Sequence, residues 1–293
     1  MYETEAAAPT IATEFEGPWR TQWKDDGTDY RGLLRDFQSG RLTGQRMATG
    51  SLYRTVHRVK AFGREFVIKT HSDIDFRERR LEKRLFIRFF GTQYSRLINK
   101  TSQALNKGCP VVQDIYLVSE KMEGRYCQEA YVIAEFVPGH SFIRENYVEG
   151  APLVFRTPGP WLANVAESLS ILHDYGLASN DAVLSNFIVT PEGQVKVIDL
   201  TLNGPMFISQ ANDVLKMRRS YGTEVPIGHL GVKVLVGVIG FWNSVRVKLR
   251  KLRGKTPPPL PEKIWEDFGG FPERPKTRID GWARTPGFKG PLD

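Results

Sequence analysis

Cysteine is almost missing from this chain: Cys109 and Cys127 are the only two in 293 residues. Their spacing suits no metal ribbon and no disulfide framework, so a reducing cytoplasm is the expected setting. Long apolar runs are also lacking. The longest, Gly231 to Phe241 (GVKVLVGVIGF), is too short and glycine-interrupted to span a bilayer. The first residues, MYETEAAAPT, have neither a basic stretch nor an apolar core, so no signal peptide is expected. No internal repeat is visible, which excludes solenoids and propellers.

What is present describes a soluble globular protein, with 41% hydrophobic and 25% charged residues. Net charge is +8. Such a balance favours anionic partners: a nucleotide, a membrane surface, a nucleic acid or a phosphorylated glycolipid. The charge is concentrated at Arg246, Lys248, Arg250, Lys251, Arg253 and Lys255, a run with Trp242 in front of it. A basic run beside an aromatic suits an anionic lipid leaflet, each cation contributing on the order of 1 kcal/mol. No recognition motif for nucleic acid accompanies it, so that partner is not expected.

The stretch that carries most information is Leu172 to Leu200, LHDYGLASNDAVLSNFIVTPEGQVKVIDL. It reads as a helix end, a polar loop with Asp181 and Asn186, a strand, a turn at Pro191-Glu192-Gly193, and a strand ending on Asp199. Asp181, Asn186 and Asp199 thereby come to one edge. Magnesium takes hard oxygen ligands and usually one or two carboxylates plus substrate phosphates. Asn186 and Asp199 are the expected metal ligands, and Asp181 the group that accepts a hydroxyl proton. The five-residue step from Asp181 to Asn186, followed by an acid-ended hairpin, is the logic of protein-kinase-like phosphotransferases.

The earlier half supplies a matching set. SLYRTVHRVKAF and FVIKT, around a turn at Gly63-Arg64-Glu65, read as strands. Lys69 closes the second, as does the lysine that holds nucleotide phosphates in kinases. Of a glycine-rich phosphate loop only Gly50, beside Thr49 and Ser51, is available. Phe76 to Phe90 reads as a helix with Leu81, Leu85, Phe86, Phe89 and Phe90 on one stripe. Glu78 and Glu82 fall within that stripe, and an acid there wants a partner. Lys69 is the natural one; Glu82 is marginally favoured by distance along the chain, with Glu78 open. A helix over Tyr94 to Lys107 and two strands around Gly124 follow. The second strand ends EFVPG, where exposed main chain at Glu135 to Val137 can bind adenine.

Trp161 to His173 reads as a helix with Trp161, Leu162, Val165, Leu169 and Leu172 inward, and His173 as a helix-end residue. ANDVLKMRRSYG reads as another, with Asp213 as a structural acid. Gly231 to Phe241 reads as a buried helix leading into the basic run. TPPPLP opens a tail with Trp265, Phe268, Phe271 and Trp282. The expected organisation is a partly mobile extension over 1–44, a β-rich lobe over 45–138, a helical lobe over 139–256, and the tail over 257–293.

Residues 45–255 resemble the bacterial lipopolysaccharide core heptose(II) kinase family. The likeness lies in Gly63 to Lys69, GTQYSRLINKT, EFVPG, Asp181 with Asn186-Phe187-Ile188-Val189, Val197-Ile198-Asp199-Leu200, Met217-Arg218-Arg219 and KLRKLRGK. The resemblance implies an α+β, two-lobed protein-kinase-like fold, and ATP- and magnesium-dependent phosphorylation of an inner-core sugar. Asp181 would then be the base, Asn186 and Asp199 the metal ligands, and Lys69 the phosphate anchor. Two departures stand out: the family has glycine where Asn180 precedes the acid, and basic or histidine residues where Ala182 and Val183 follow it. Turnover by another small-molecule or protein kinase, or nucleotide binding without turnover, are the competing expectations.

Overall fold

A computed structural model describes residues 10–47, 54–72, 87–141, 159–200, 202 and 205–252. They belong to two compact units. The first takes the chain to Gly108 and again from Gln113 to Phe136; the second takes Cys109–Val112 and the chain from Val137 onward.

Among the described residues, alternating β-branched and aromatic residues give the first unit seven strands: β1 (Thr10–Glu16), β2 (Trp19–Asp25), β3 (Gln45–Met47), β4 (Arg54–Ala61), β5 (Arg64–Ser72), β6 (Ile115–Glu123) and β7 (Tyr126–Glu135). They form one sheet in the order β1-β2-β6-β7-β5-β4-β3. All neighbouring pairs are antiparallel. Helix α1 (Tyr30–Gln38) starts where the Asp29 carboxylate accepts the Gly32 N–H at 2.8 Å. Its Tyr30, Leu33 and Leu34 pack with Val59, Phe66, Ile68, Leu117 and Ile133 into the unit's core. Burying a Phe or Ile side chain of this kind contributes about 1.5–3 kcal/mol. Tyr30 stacks on Tyr116 at 5.2 Å and meets Phe66 edge-on. Helix α2 (Gln93–Asn106) is capped by Thr92.

Two expectations change here. The supposed loose extension is, from Thr10 onward, part of the sheet: β1 and β2 form a hairpin, and β2 pairs with β6. Trp19 and Trp23 supply aromatic surface that the Ala- and Glu-rich composition of the neighbouring residues conceals. Of the helix expected over Phe76 to Phe90, only 87–90 are described, and they are helical. Glu78, Glu82, Thr49, Gly50 and Ser51 lie outside the described residues, as does the tail.

Among its described residues the second unit holds a short sheet and three α-helices. Strands β8 (His140–Ser141), β9 (Phe187–Val189) and β10 (Val195–Val197) run in the order β10-β9-β8. Helix α3 (Gly159–Asp174) buries Leu162, Val165, Ala166, Leu169 and Leu172, a 3- and 4-residue spacing that defines one face. Helix α4 (Met206–Tyr221) begins earlier than the sequence pattern suggests and stops at Gly222, whose φ of 64° is the left-handed cap. Helix α5 (Leu230–Leu252) runs unbroken into the basic run. It is not the buried helix expected. Val232 and Val236 are buried, whereas Leu230, Val234, Val238, Phe241 and Trp242 are 57–75% exposed.

Candidate active site

In the first unit the expected site residues lie on two antiparallel neighbours: Lys69 within β5, opposite Val132, and Glu135 at the end of β7, opposite Phe66. Lys69 is buried, and its Nζ donates to Gln113 Oε1 at 3.2 Å. The other end of that amide, Nε2, donates to the main-chain oxygen of Glu135 at 2.6 Å. Gln113 is itself buried, so both ends of its amide are satisfied within the unit. The Glu135 N–H donates to the Asp114 carbonyl at 2.9 Å, and the Phe136 N–H to that of Glu65 at 3.4 Å. The N–H and the carbonyl of Glu135 thus both have partners within the unit. Phe136 lies under the Arg58 guanidinium, 4.1 Å away, and both Glu65 carboxylate oxygens accept from Arg58 at 2.7 Å. This ties the end of β7 to the β4–β5 hairpin. Burial raises the Asp114 carboxyl above its usual range, with Lys24 Nζ at 2.6 Å pulling it back. Val137, the first residue of the second unit beyond this strand, is buried.

In the second unit the loop before β9 carries the acid. Asn180, preceding Asp181, has φ 57°. That left-handed backbone is one that asparagine tolerates far better than most residues. Asp181 is more than half exposed, and its Oδ1 is paired with the Lys216 ammonium. A single 3₁₀ turn, Leu184–Asn186, brings Asn186 back so that its Nδ2 donates to the Asp181 carbonyl at 2.9 Å. The Ile198 N–H donates to the Asn186 carbonyl at 2.8 Å, which joins the loop end to the residue before Asp199. Asp199 also has a left-handed φ, 64°. For a non-glycine residue this costs roughly 1–2 kcal/mol and marks a constrained position. With Nδ2 of Asn186 committed, the oxygen end of the amide is the part left to face a cation. An amide oxygen and a carboxylate are the hard donors magnesium accepts, so the residues present fit that ion. No group of three or more His, Cys, Asp or Glu side chains suited to a metal occurs among the described residues.

Behind the loop stands a buried pair. His173 Nε2 lies 3.2 Å from Asp213 Oδ2, and the same oxygen accepts the Ser179 N–H at 2.8 Å. Burial pushes the Asp213 carboxyl up, with His173 and the N–H groups of Ser179 and Asn180 working the other way. Gln210 Nε2 donates to the carbonyls of His173 and Leu177, both at 3.0 Å.

Sequence reasoning missed Gln113 and Lys216. A polar residue inside the strand-like run VVQDIYLV was the available signal for Gln113. Lys216 offered only its three-residue step from Asp213.

These features define a mixed α+β protein, β-rich in its first unit and helical in its second, whose acid-bearing loop is anchored from behind by a buried aspartate. The chain belongs to the lipopolysaccharide core biosynthesis protein (WaaY) family, which it matches over residues 21–255. It is 28% identical over 166 residues to a protein of Escherichia coli strain K12 named lipopolysaccharide core heptose(II) kinase WaaY, covering 56% of this chain and 65% of that one. A second Escherichia coli protein of that name is 28% identical over 170 residues, covering 56% and 66%. The chain thus spans just under two thirds of the length of these curated relatives. Among solved structures, the Mycobacterium tuberculosis PknI kinase domain is similar with a TM-score of 0.35 and 20% identity, over 54% of this chain and 58% of that one.

Proposed function

We propose that this chain is an ATP- and magnesium-dependent kinase that phosphorylates a heptose, or a similar sugar hydroxyl, of the lipopolysaccharide inner core. The observation that carries the reading is the bonding of Asn186 in the second unit, whose amide holds the Asp181 carbonyl while its main chain holds Ile198, next to Asp199. Asp181 takes the acceptor hydroxyl proton. The hydroxyl oxygen forms its bond to the γ-phosphorus, the bond from that phosphorus to the β–γ bridging oxygen breaks, and ADP leaves. Asn186 and Asp199 would hold magnesium, which would supply neutralising positive charge for the phosphates. Lys69, with Glu82 or Glu78 as its expected acid partner, holds the nucleotide phosphates. The Glu135 carbonyl and the Val137 main chain receive the adenine.

Exposed Leu230, Val234, Val238, Phe241 and Trp242 recur every three or four residues on α5 and lead into Arg246, Lys248, Arg250 and Lys251. An exposed apolar stripe ending in cations suits the anionic cytoplasmic leaflet, where the glycolipid acceptor would be presented. Among the described residues no helix is long and apolar enough to cross a membrane. Reversing those four charges should release the chain from phosphatidylglycerol vesicles; binding that persists rules the surface out.

The decisive test of the enzyme is Asp181→Ala with purified core glycolipid and labelled ATP. Incorporation should vanish while nucleotide binding remains. Incorporation at the wild-type rate would remove Asp181 as the base.

A further inference from the structure

The loop from Ser179 to Phe187 contains no basic residue, although it carries the acid that must work beside a multiply charged phosphate chain. A carboxylate facing that charge needs a cation near it. The structure supplies one from outside the loop. Lys216, on α4, pairs through Nζ with Oδ1 of Asp181.

The side chains are 35% and 55% exposed, and an ion pair so solvated contributes only about 0–1 kcal/mol, so holding the fold is not its role. What distinguishes it from an incidental surface contact is that its position is set by an anchored frame. Asp213 lies one helical turn earlier on α4 and fixes the loop at the Ser179 N–H, two residues before Asp181. Residues three apart share a helix face, so one face of α4 presents an acid to the loop's backbone and a cation to the loop's acid.

We propose that Lys216 is the loop's missing cation, a positioning residue for Asp181. The inference rests on the kinase reading. The ammonium holds Oδ1, leaving Oδ2 to receive the acceptor proton. Lys216 keeps its own protons throughout, and its charge lies beside the oxygen that attacks phosphorus. Ala182 and Val183 are tolerated after Asp181 because the cation comes from α4.

The test compares Lys216→Met, Lys216→Arg, Asp181→Asn and the double variant Asp181→Asn/Lys216→Met in the full chain. Lys216→Met should lower kcat about 10- to 1,000-fold. Nucleotide affinity by calorimetry should stay within about twofold and the melting temperature should hold, since the pair is solvated. Lys216→Arg should recover most of kcat, and the double variant should be no slower than Asp181→Asn, as expected for residues acting as a unit. A readout without turnover accompanies these: after ¹³C-dimethylation of the lysines, the Lys216 resonance should move in Asp181→Asn. An unchanged kcat in Lys216→Met, a raised one, or an unmoved resonance overturns the proposal. Absence of transfer by the wild-type chain sinks the kinase reading itself, and the inference with it.

Discussion

Gln113 Nε2 donates to the Glu135 carbonyl at 2.6 Å, and its Oε1 accepts from Lys69 Nζ at 3.2 Å. One buried amide therefore couples the lysine proposed for phosphates to the carbonyl proposed for adenine. The two bonds need opposite ends of the amide, which makes the residue type specific. Gln113→Glu keeps an acceptor for Lys69 but loses the donor for Glu135. Gln113→Leu loses both. Leaving a buried group unpaired costs about 1–3 kcal/mol, so nucleotide affinity should fall roughly 5- to 100-fold in Gln113→Leu. Calorimetric titration with nucleotide checks it, with kcat at saturation changing far less.

Asp213 makes the buried counterpart in the second unit. Its Oδ2 accepts from Ser179 and lies against His173, so truncation strands a buried N–H and a buried ring nitrogen. Asp213→Ala should destabilise the chain by about 3 kcal/mol, the usual scale for breaking a buried pair from one side. Asp213→Asn should cost less, provided the amide oxygen takes the Ser179 bond. Urea denaturation measures both. Phosphotransfer should fall in step with loop disorder even at temperatures where the fold survives.

Asn180 is held at φ 57° by that same anchoring. A β-carbon without a helpful polar group costs roughly 1–2 kcal/mol in the left-handed region. Asn180→Ala should therefore destabilise by about 1 kcal/mol, and Asn180→Gly should be close to neutral. Asn180→Val should be the worst of the three, because branching at Cβ crowds the carbonyl. Thermal melts of the three variants give the ranking, and a glycine variant less stable than the alanine variant would contradict it.

Much of the fold was legible because it is written in local pattern. Strand alternation marked β4 to β7, and the periodic apolar face of Leu162 to Leu172 marked α3. Glycine and proline punctuated the β9–β10 hairpin. The 21–255 extent of the family match and the β1–β2 hairpin went unseen, since strand pairing with β6 is a contact of high sequence separation that leaves no periodic trace. The acid loop was legible as a spacing, Asp181 to Asn186. Its supports, Lys216 and Asp213 from α4, arrive from 35 and 34 positions away, at Asp181 and Ser179, and only the fold brings them there. The exposed side of α5 was misjudged for a different reason. An apolar helix with glycines reads as buried whether its outer face meets protein or something else.

His57 on β4 gives a pH dependence with a definite sign. Its ring lies against Phe37 with centroids 5.2 Å apart, and its buried Nδ1 has no hydrogen-bond partner among the described residues. Burial, reinforced by the nearby Arg46, lowers its pKa from the ordinary 6.5. The native state therefore binds fewer protons than the unfolded chain in the window below 6.5, and stability rises with pH there. The contribution is intact above that value. It is lost as the pH falls from it through the lowered native value, where the ring must charge. His57→Gln has no group to titrate in this window. Urea midpoints of wild type and variant, compared at pH on either side of the window, should converge toward the acid end if wild type starts more stable, or move further apart if it starts less stable. Parallel curves across the whole range would mean that this histidine does not carry the acid sensitivity of the first unit.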